Sequence, residues 1–417
     1  MTSHTPSRPR SWPAPLRALA HRNFQVYFLG QAVSTLGKWI QQVALAWLAY
    51  HITGSASLLG LLTFLSLAPQ LVIGPLAGAW IDKHDKRRLL LIAQTLLACQ
   101  SLFLAVMIWL GAMSTGWLIA MAALLGFLNA FETPLRQSLI SSFVADPADL
   151  PNALALNAML INAARFVGPP LAGALIAYSG EAVCFLVTTG AYSLLLFALF
   201  KVKGAPSARV AGNTGRIFRE GLSYMWGTLE VRRLLLGVVV VNLLSSIYAV
   251  LLPVITRVSY HGDATTLGWL WGAAGAGAFV ASVGLALGGS LTRLSRFIVG
   301  ATACCVLGLG GMAFDIPLSL AMVSLALLGF GITVNNVSTN MLLQSQAPAE
   351  LRGRVIAFYI SMRFGFEAVG GLLAGVVAVG LGAPATMGVA GVLLAGYLVL
   401  DRFHAKKRSK GESTSVS

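Results

Sequence analysis

Five charged residues interrupt long apolar stretches of this sequence: Lys38, Glu132, Arg165, Arg363 and Glu367. If those stretches cross a bilayer, a charge near the centre costs at least about 2.5–3.5 kcal/mol. Such side chains therefore face a partner or a water-filled cavity rather than lipid. A carboxylate in this setting can carry a proton, because burial favours its neutral form and a nearby cation favours its ionised form.

Three of these charges have an oppositely charged neighbour four residues away, a spacing that places both members of a pair on one face of a helix. The pairs are Glu132 with Arg136 and Arg363 with Glu367. Each pair is interpreted either as a structural ion pair or as a proton-coupling carboxylate beside its cation. We favour Glu367 over Glu132 for proton coupling, because Glu367 is predicted to lie deeper in its helix.

Lys38 lies about fourteen residues into the first apolar run, which is near the membrane midplane at 1.5 Å per residue. Together with Arg165, it would make an internal cavity positive and favour anionic or catecholate-like cargo. Equally, Lys38 could bridge two helices by pairing with Glu132 or Glu367. The sequence leaves both interpretations open.

The composition indicates which class of protein contains these charges. Of 417 residues, 57% are hydrophobic and 10% are charged, whereas soluble domains average about 25% charged residues. The net charge is +15, but the basic residues form short clusters between apolar runs. This pattern is typical of membrane proteins and argues against nucleic-acid binding. The four cysteines lie within apolar runs and lack the spacing of zinc ligands, so we expect no metal site.

A membrane-crossing helix needs roughly 20 mostly apolar residues. Twelve such runs are present, six in each half of the chain. The sequence therefore predicts an all-α membrane protein with twelve transmembrane helices. The runs lie near residues 24–50, 56–81, 89–111, 116–143, 152–178, 182–201, 233–256, 265–290, 296–314, 317–344, 354–380 and 384–402.

Basic residues concentrate between alternate runs, and Arg257 is the only Lys or Arg in the predicted outer loops. By the positive-inside rule, both termini are then cytoplasmic. The predicted organisation is an N-terminal tail, a six-helix half, a linker with a short amphipathic helix, a second six-helix half and a polar tail, whose last dozen residues we expect to lack regular structure. These segments cover residues 1–22, 23–201, 202–232, 233–403 and 404–417.

The loop between the second and third runs reads Gly78-Ala-Trp-Ile-Asp82-Lys83-His84-Asp85-Lys86-Arg87-Arg88. It resembles the signature loop of the major facilitator superfamily, with Asp85 at a position that is usually glycine. This form is similar to the transmembrane secretion effector branch, which includes enterobactin-type siderophore exporters. The stretch 129–137 also resembles that branch.

The resemblance implies the major facilitator fold, with two pseudo-symmetric six-helix halves. It also implies that the loop forms a gating latch in which the aspartate caps the start of the eleventh span. The alternative is that the basic residues act only as a topology signal. The residues implied in gating are Gly78, Asp82, Lys83, Lys86, Arg87 and Arg88.

The fifth run contains Gly168-Pro169-Pro170-Leu-Ala-Gly173. Both prolines remove a backbone donor, so the helix is predicted to bend here. The two glycines permit close approach of a neighbouring helix. The sequence resembles the antiporter motif of the superfamily, which implies export by exchange. The alternative is a packing kink with no bearing on transport.

The resemblance implies that spans 1, 4, 7 and 10 line the substrate cavity, so polar residues on these spans and the deep cations are cavity candidates. The alternative is that the polar residues form hydrogen bonds between helices. Aromatic residues such as Trp39 and Trp271 could stack on substrate or belong to the membrane interface. The cavity candidates are Gln31, Ser34, Lys38, Gln41, Arg165, Asn242, Asn335, Asn336, Asn340 and Arg363.

Together these features predict a secondary transporter that exports a small amphipathic molecule, either a siderophore or a drug-like compound, by alternating access. An importer, a lipid flippase or a transport-inactive sensor are the alternatives. No motif of a metalloprotease, serine hydrolase or ATPase is present, so we expect no enzyme activity, no cofactor and the proton gradient as energy source. We expect a monomer in a bacterial inner membrane that contacts the lipid bilayer and a small-molecule substrate.

Overall fold

The computed structural model describes residues 14–81, 84–144, 146–202, 223–288, 291–348 and 351–414. This part of the chain is helical and contains no β-strand. A short 3₁₀ helix, Ala14–Ala20, precedes fourteen α-helices. The helices are α1 Arg22–Thr53, α2 Ala56–Leu67, α3 Pro69–Ile81, α4 Lys86–Trp109, α5 Thr115–Phe143, α6 Leu150–Ser179, α7 Glu181–Lys201, α8 Leu229–Ser245, α9 Tyr248–Val258, α10 Ala264–Gly288, α11 Leu291–Gly311, α12 Leu318–Gln346, α13 Arg352–Leu381 and α14 Ala383–Thr414.

Two of the predicted spans are each divided into two helices. The second span breaks between α2 and α3, because Pro69 has no N–H to continue the hydrogen-bond ladder and its ring disfavours an uninterrupted helix. The seventh span breaks at Ser246 and Ile247, between α8 and α9. The fourteen described helices therefore correspond to the twelve predicted runs.

Ten segments of the described chain are long and apolar enough to cross a membrane. The other two predicted spans are α1, whose 32 residues include polar side chains that face inward, and α11, whose apolar part is only Arg296–Gly311. Membrane crossing by these two helices stays a prediction.

The helices form two groups that follow the chain order. In the first, α1 packs against α6 and α7, and α4 and α5 pack against each other. In the second, α12 packs against α10 and α11, and α8 packs against α13. The groups meet along two seams, one between α6 and α10 and one between α2–α3 and α13.

Glycine allows the backbones to approach at both seams. A Cβ at Gly60 would lie 2.7 Å from the carbonyl oxygen of Gly371, and one at Gly375 would lie 2.6 Å from that of Ala56. On the other seam, a Cβ at Gly268 would lie 2.6 Å from the carbonyl oxygen of Pro169. These contacts lie toward the end of the bundle where α2 and α10 begin, which we call the sealed end.

At the sealed end, Asp263 caps the start of α10. Its carboxylate accepts hydrogen bonds from the backbone N–H of Thr266 at 3.0 Å and from the hydroxyl of the same residue at 3.1 Å. These bonds lower the pKa of Asp263. The cap fixes the first turn of the helix that packs against α6.

The tail did not follow the sequence prediction. We expected the last dozen residues to lack regular structure, but α14 continues to Thr414. The reason is local, because Ala405, Lys406, Lys407 and Arg408 are good helix formers and extend the last span without a break. The predicted N-terminal tail lies outside the described residues up to position 13, as do positions 415–417.

Most of the predicted linker also lies outside the described residues, at positions 203–222. Its described end, residues 223–227, is helical. Here Met225 is buried against Val231 and Leu235 whereas Trp226 is exposed, an amphipathic arrangement. The division of the chain at residues 202–232 stays a prediction.

A valine at position 375 tests the glycine seam. Overpacking costs about 1–3 kcal/mol, which shifts a two-state equilibrium about five-fold or more. We therefore expect Gly375→Val to separate α2 from α13 at the sealed end. The probe is Ser57→Cys in a cysteine-free background, because the Ser57 hydroxyl lies 3.5 Å from the carbonyl oxygen of Gly375. Labelling by a membrane-impermeant maleimide added outside the cells should become several-fold faster.

The matched control is Gly380→Val on the same helix, where a Cβ meets no atom within 4 Å. Equal labelling rates in the two valine variants would contradict the seam.

Candidate functional site: a charged centre between the helices

Glu132 of α5 is the centre of a buried charge cluster. Its side chain is 2% exposed and forms an ion pair with Arg136 one turn further along the same helix. The ammonium nitrogen of Lys38, on α1, lies 3.6 Å from Oε2. Gln94, on α4, donates a hydrogen bond to Oε1 at 3.1 Å. One carboxylate therefore pairs with cations from two helices.

The two cations of this cluster are held by neutral oxygens as well. Arg136 donates to the hydroxyls of Ser34 at 2.8 Å and Thr35 at 3.3 Å. Lys38 donates to Oδ1 of Asn129 at 2.8 Å. The cluster ties α1, α4 and α5 together and keeps one net positive charge. Of the two interpretations of Lys38, the bridge to Glu132 is therefore formed, while the side chain of Lys38 is still 35% exposed.

Arg165, on α6, forms the second charged group and connects the two halves. Its guanidinium donates to the hydroxyl of Tyr248 at 2.9 Å and lies 5.6 Å from the ring centroid of Trp39. Trp39 meets Trp271 of α10 edge-on, at 6.5 Å between centroids. Helices α1 and α6 of the first half thus contact α9 and α10 of the second through this cluster.

Glu367, on α13, is half-buried, and Arg363 and Arg165 are the charged groups that act on it. Within the described residues, no ion pair of 4 Å or less involves Glu367. The spacing of four predicted a pair with Arg363, but the guanidinium of Arg363 lies 4.6 Å from the ring centroid of Phe364, and its Nε has no hydrogen-bond partner. Glu367 is therefore a carboxylate near two cations but bound to neither.

Several predicted cavity residues of the first half are buried in hydrogen bonds between helices. Gln31 donates to Asn157 at 2.7 Å, and Gln41 donates to Gln100 at 2.7 Å while accepting from Tyr192 at 2.9 Å. This is the alternative role considered from the sequence.

The asparagines of the second half behave in the same way. Asn242 and Asn336 exchange two hydrogen bonds of 3.0 and 3.3 Å between α8 and α12. Tyr359 donates to the backbone carbonyl of Asn336 at 2.7 Å, and Asn335 donates to Thr302 at 3.2 Å. Asn340, one turn further along α12, accepts from Gln344 on the same helix at 3.0 Å. The assignment of these residues to a cavity wall stays a prediction.

The structure explains Asp85, the departure from the superfamily loop. Asp85 is the N-cap of α4, and its Oδ1 accepts from the backbone N–H groups of Arg87 and Arg88 at 3.0 and 3.1 Å. The side chain of Arg87 donates to the carbonyl oxygens of Leu199 and Phe200 at the end of α7, at distances down to 2.7 Å. Such a cation satisfies carbonyls that a helix end leaves unpaired.

The gating role of this loop stays a prediction. Asp82 and Lys83 lie outside the described residues, and the surroundings of Gly78 are not described.

The glycine–proline segment of α6 lies in the seam with α10. A Cβ at Gly168 would meet the Cβ of Trp39 at 2.6 Å, and one at Gly272 would meet the ring of Pro170 at 2.6 Å. A Cβ at Gly173 would meet the backbone of Thr265 at 3.0 Å. The segment therefore packs the two halves together, and its predicted link to antiport is not tested by this geometry.

Removing the carboxylate of Glu132 should destabilise the protein. Glu132→Gln leaves Lys38 and Arg136 buried without an anion, and breaking a buried pair in this way costs about 3–5 kcal/mol. We expect a lower Tm for the detergent-purified protein, partly restored by the second substitution Lys38→Met. The control is Glu230→Gln, an exposed carboxylate at the start of α8. An unchanged Tm for Glu132→Gln would contradict the cluster.

Solved transporter structures share the fold of this chain. The chain superposes on the nucleoside transporter NupG with a TM-score of 0.68 and 13% identity, over 91% of this chain and 98% of that chain. It superposes on a bacterial homologue of the human lysosomal transporter Spinster, in an inward-facing and unoccupied conformation, with a TM-score of 0.70 and 14% identity. That match covers 95% of this chain and 99% of the other. At this identity the likeness shows the fold alone.

Sequence relatives are similar over most of the chain. It is 26% identical over 383 residues to the staphyloferrin A transporter of Staphylococcus aureus, covering 88% of this chain and 92% of that protein. It is 29% identical over 367 residues to the multidrug efflux pump Tap of Mycolicibacterium fortuitum, covering 84% and 88%. Residues 12–416 match the family described as transmembrane secretion effectors. The chain therefore belongs to the transmembrane secretion effector family of the major facilitator transporters.

Proposed function

We propose that this protein exports a small amphipathic molecule, of siderophore or drug-like type, across a bacterial inner membrane by alternating access. The relatives named as a staphyloferrin A transporter and a multidrug efflux pump support this class of cargo. We also propose that it acts as a monomer and as a transporter rather than an enzyme.

The two deep carboxylates differ in their partners, and this difference supports our proposal for which of them couples protons to transport. Glu132 has two cations and a glutamine on its oxygens, so a proton there would leave both cations unpaired. Glu367 has no such partner within the described residues and can gain or lose a proton without breaking a bond. The proton-coupling role therefore fits Glu367 better, in agreement with its predicted depth.

The glycine contacts at the sealed end support a direction for loading. If both termini are cytoplasmic, as the basic clusters indicate, the sealed end is periplasmic. We propose that the exposed part of Lys38 then faces a cavity reached from the cytoplasm, the state in which an exporter takes up cargo. Exchange of cargo against protons is the coupling that the resemblance of the α6 segment implies.

Deletion of the gene in its host tests the export proposal. Cells starved of iron should lose one compound from the medium and accumulate it in the cytosol, as measured by mass spectrometry. Wild-type protein should restore export. Glu367→Gln should reduce it at least about ten-fold, because the side chain at this position can then no longer bind and release a proton. The control is again Glu230→Gln, which should export normally.

A compound that disappears from the cytosol of the deletion strain, instead of accumulating there, would indicate import. No difference in either compartment would contradict siderophore export in that host.

A further inference from the structure

The centre of the protein carries more positive than negative charge. Four cations and two carboxylates lie in the interior of the spans, which leaves a surplus of two positive charges when all are ionised. The six residues are Lys38, Arg136, Arg165, Arg363, Glu132 and Glu367. A surplus of charge in a low-dielectric interior is costly unless a counter-ion joins it.

One of the two surplus positive charges belongs to the cluster of Lys38, Arg136 and Glu132. The other belongs to Arg165 and Arg363, which both attract the carboxylate of Glu367 electrostatically. Neither arginine forms an ion pair in the described part of the chain, and their observed partners are neutral. Arg165 contacts the hydroxyl of Tyr248 and the ring of Trp39, whereas Arg363 lies over the ring of Phe364.

Both arginines have the chemistry to receive an anion. A guanidinium presents a planar fork of donors that matches the two oxygens of a carboxylate. The Nε of Arg363 is buried without a hydrogen-bond partner, so one of these donors is unused. Beside Arg165, the half-buried ring of Trp39 offers flat apolar surface to the rest of the same molecule.

We propose that the cargo is an anionic amphipathic molecule whose carboxylate-type group binds Arg165 and Arg363 while its flat apolar part contacts Trp39. This rests on the proposed function and names its substrate class. Glu367 competes with the cargo for the same two arginines. A proton on Glu367 removes that competition, so proton and anion strengthen each other's binding.

Two xanthene dyes of opposite charge test the inference. Sulforhodamine B is anionic at every pH used and rhodamine 6G is cationic, while both share the same flat ring system. Binding to the purified full-length protein is measured by fluorescence anisotropy. Sulforhodamine B should bind at least ten-fold more tightly than rhodamine 6G. Arg363→Gln should weaken the binding of sulforhodamine B at least ten-fold, and Arg363→Lys should retain part of the affinity for this dye.

Glu367→Gln gives the sharpest result, because it should bind sulforhodamine B several-fold more tightly than wild type and lose the rise in affinity at low pH. A merely structural residue would not produce a gain. The control is Arg257→Gln, a cation near Trp47 at the sealed end, which should bind both dyes as wild type does. Elution profile and Tm confirm that each variant is folded.

Absent or weaker binding of sulforhodamine B, or a Glu367→Gln variant that does not bind it more tightly, overturns the inference. The two proposals fail separately. If the deletion strain retains a metabolite but the dyes show a cationic preference, export stands and the anionic class falls. If sulforhodamine B binds as expected but no metabolite is retained, the anion site stands and export falls.

Discussion

The rest of the structure depends on one constraint, which is that a charge inside a membrane must be neutralised or hydrated. Glu132 meets it by taking Lys38 and Arg136 onto a single carboxylate. That arrangement makes α1, α4 and α5 one unit around a polar interior. It also accounts for the polar character of α1, which lowers the hydropathy of the first span without exposing its polar residues to lipid.

The same constraint gives the two deep carboxylates different properties. The first is fixed by its partners and can serve as a structural anchor throughout a transport cycle. The second, Glu367, lies on α13, which packs against both halves, and Arg165 of one half and Arg363 of the other act on it electrostatically. A group whose neighbours belong to different moving bodies changes its surroundings when those bodies move, and this is the physical requirement for coupling protons to conformation.

The two seams would allow one half to move against the other. Small residues let α6 and α10, and α2 and α13, touch through their backbones, so the contact has little side-chain interlocking to break. Arg165 adds a hydrogen bond across the halves at the depth where cargo would bind. Closure of the sealed end and occupation of the centre are therefore physically connected.

Much of this could be predicted from the sequence, and the remainder has identifiable reasons. Apolar run length predicted the helices, and the spacing of four predicted the contact between Glu132 and Arg136. The same spacing did not produce an ion pair between Arg363 and Glu367, because the guanidinium of Arg363 lies over the ring of Phe364 instead. The bond from Arg165 to Tyr248 joins residues 83 positions apart, and no periodicity reports a partner on another helix. For the same reason, the reciprocal pair of Asn242 and Asn336 was not foreseen.

The central claim is that Glu367, and not Glu132, changes its protonation state. Infrared difference spectroscopy on the reconstituted protein measures this directly, since a protonated carboxyl has its own C=O stretching band. Titration should produce one such band in wild type, and it should be absent in Glu367→Gln but retained in the Glu132→Gln/Lys38→Met double variant. A band that survives in Glu367→Gln and disappears in the double variant would contradict the account.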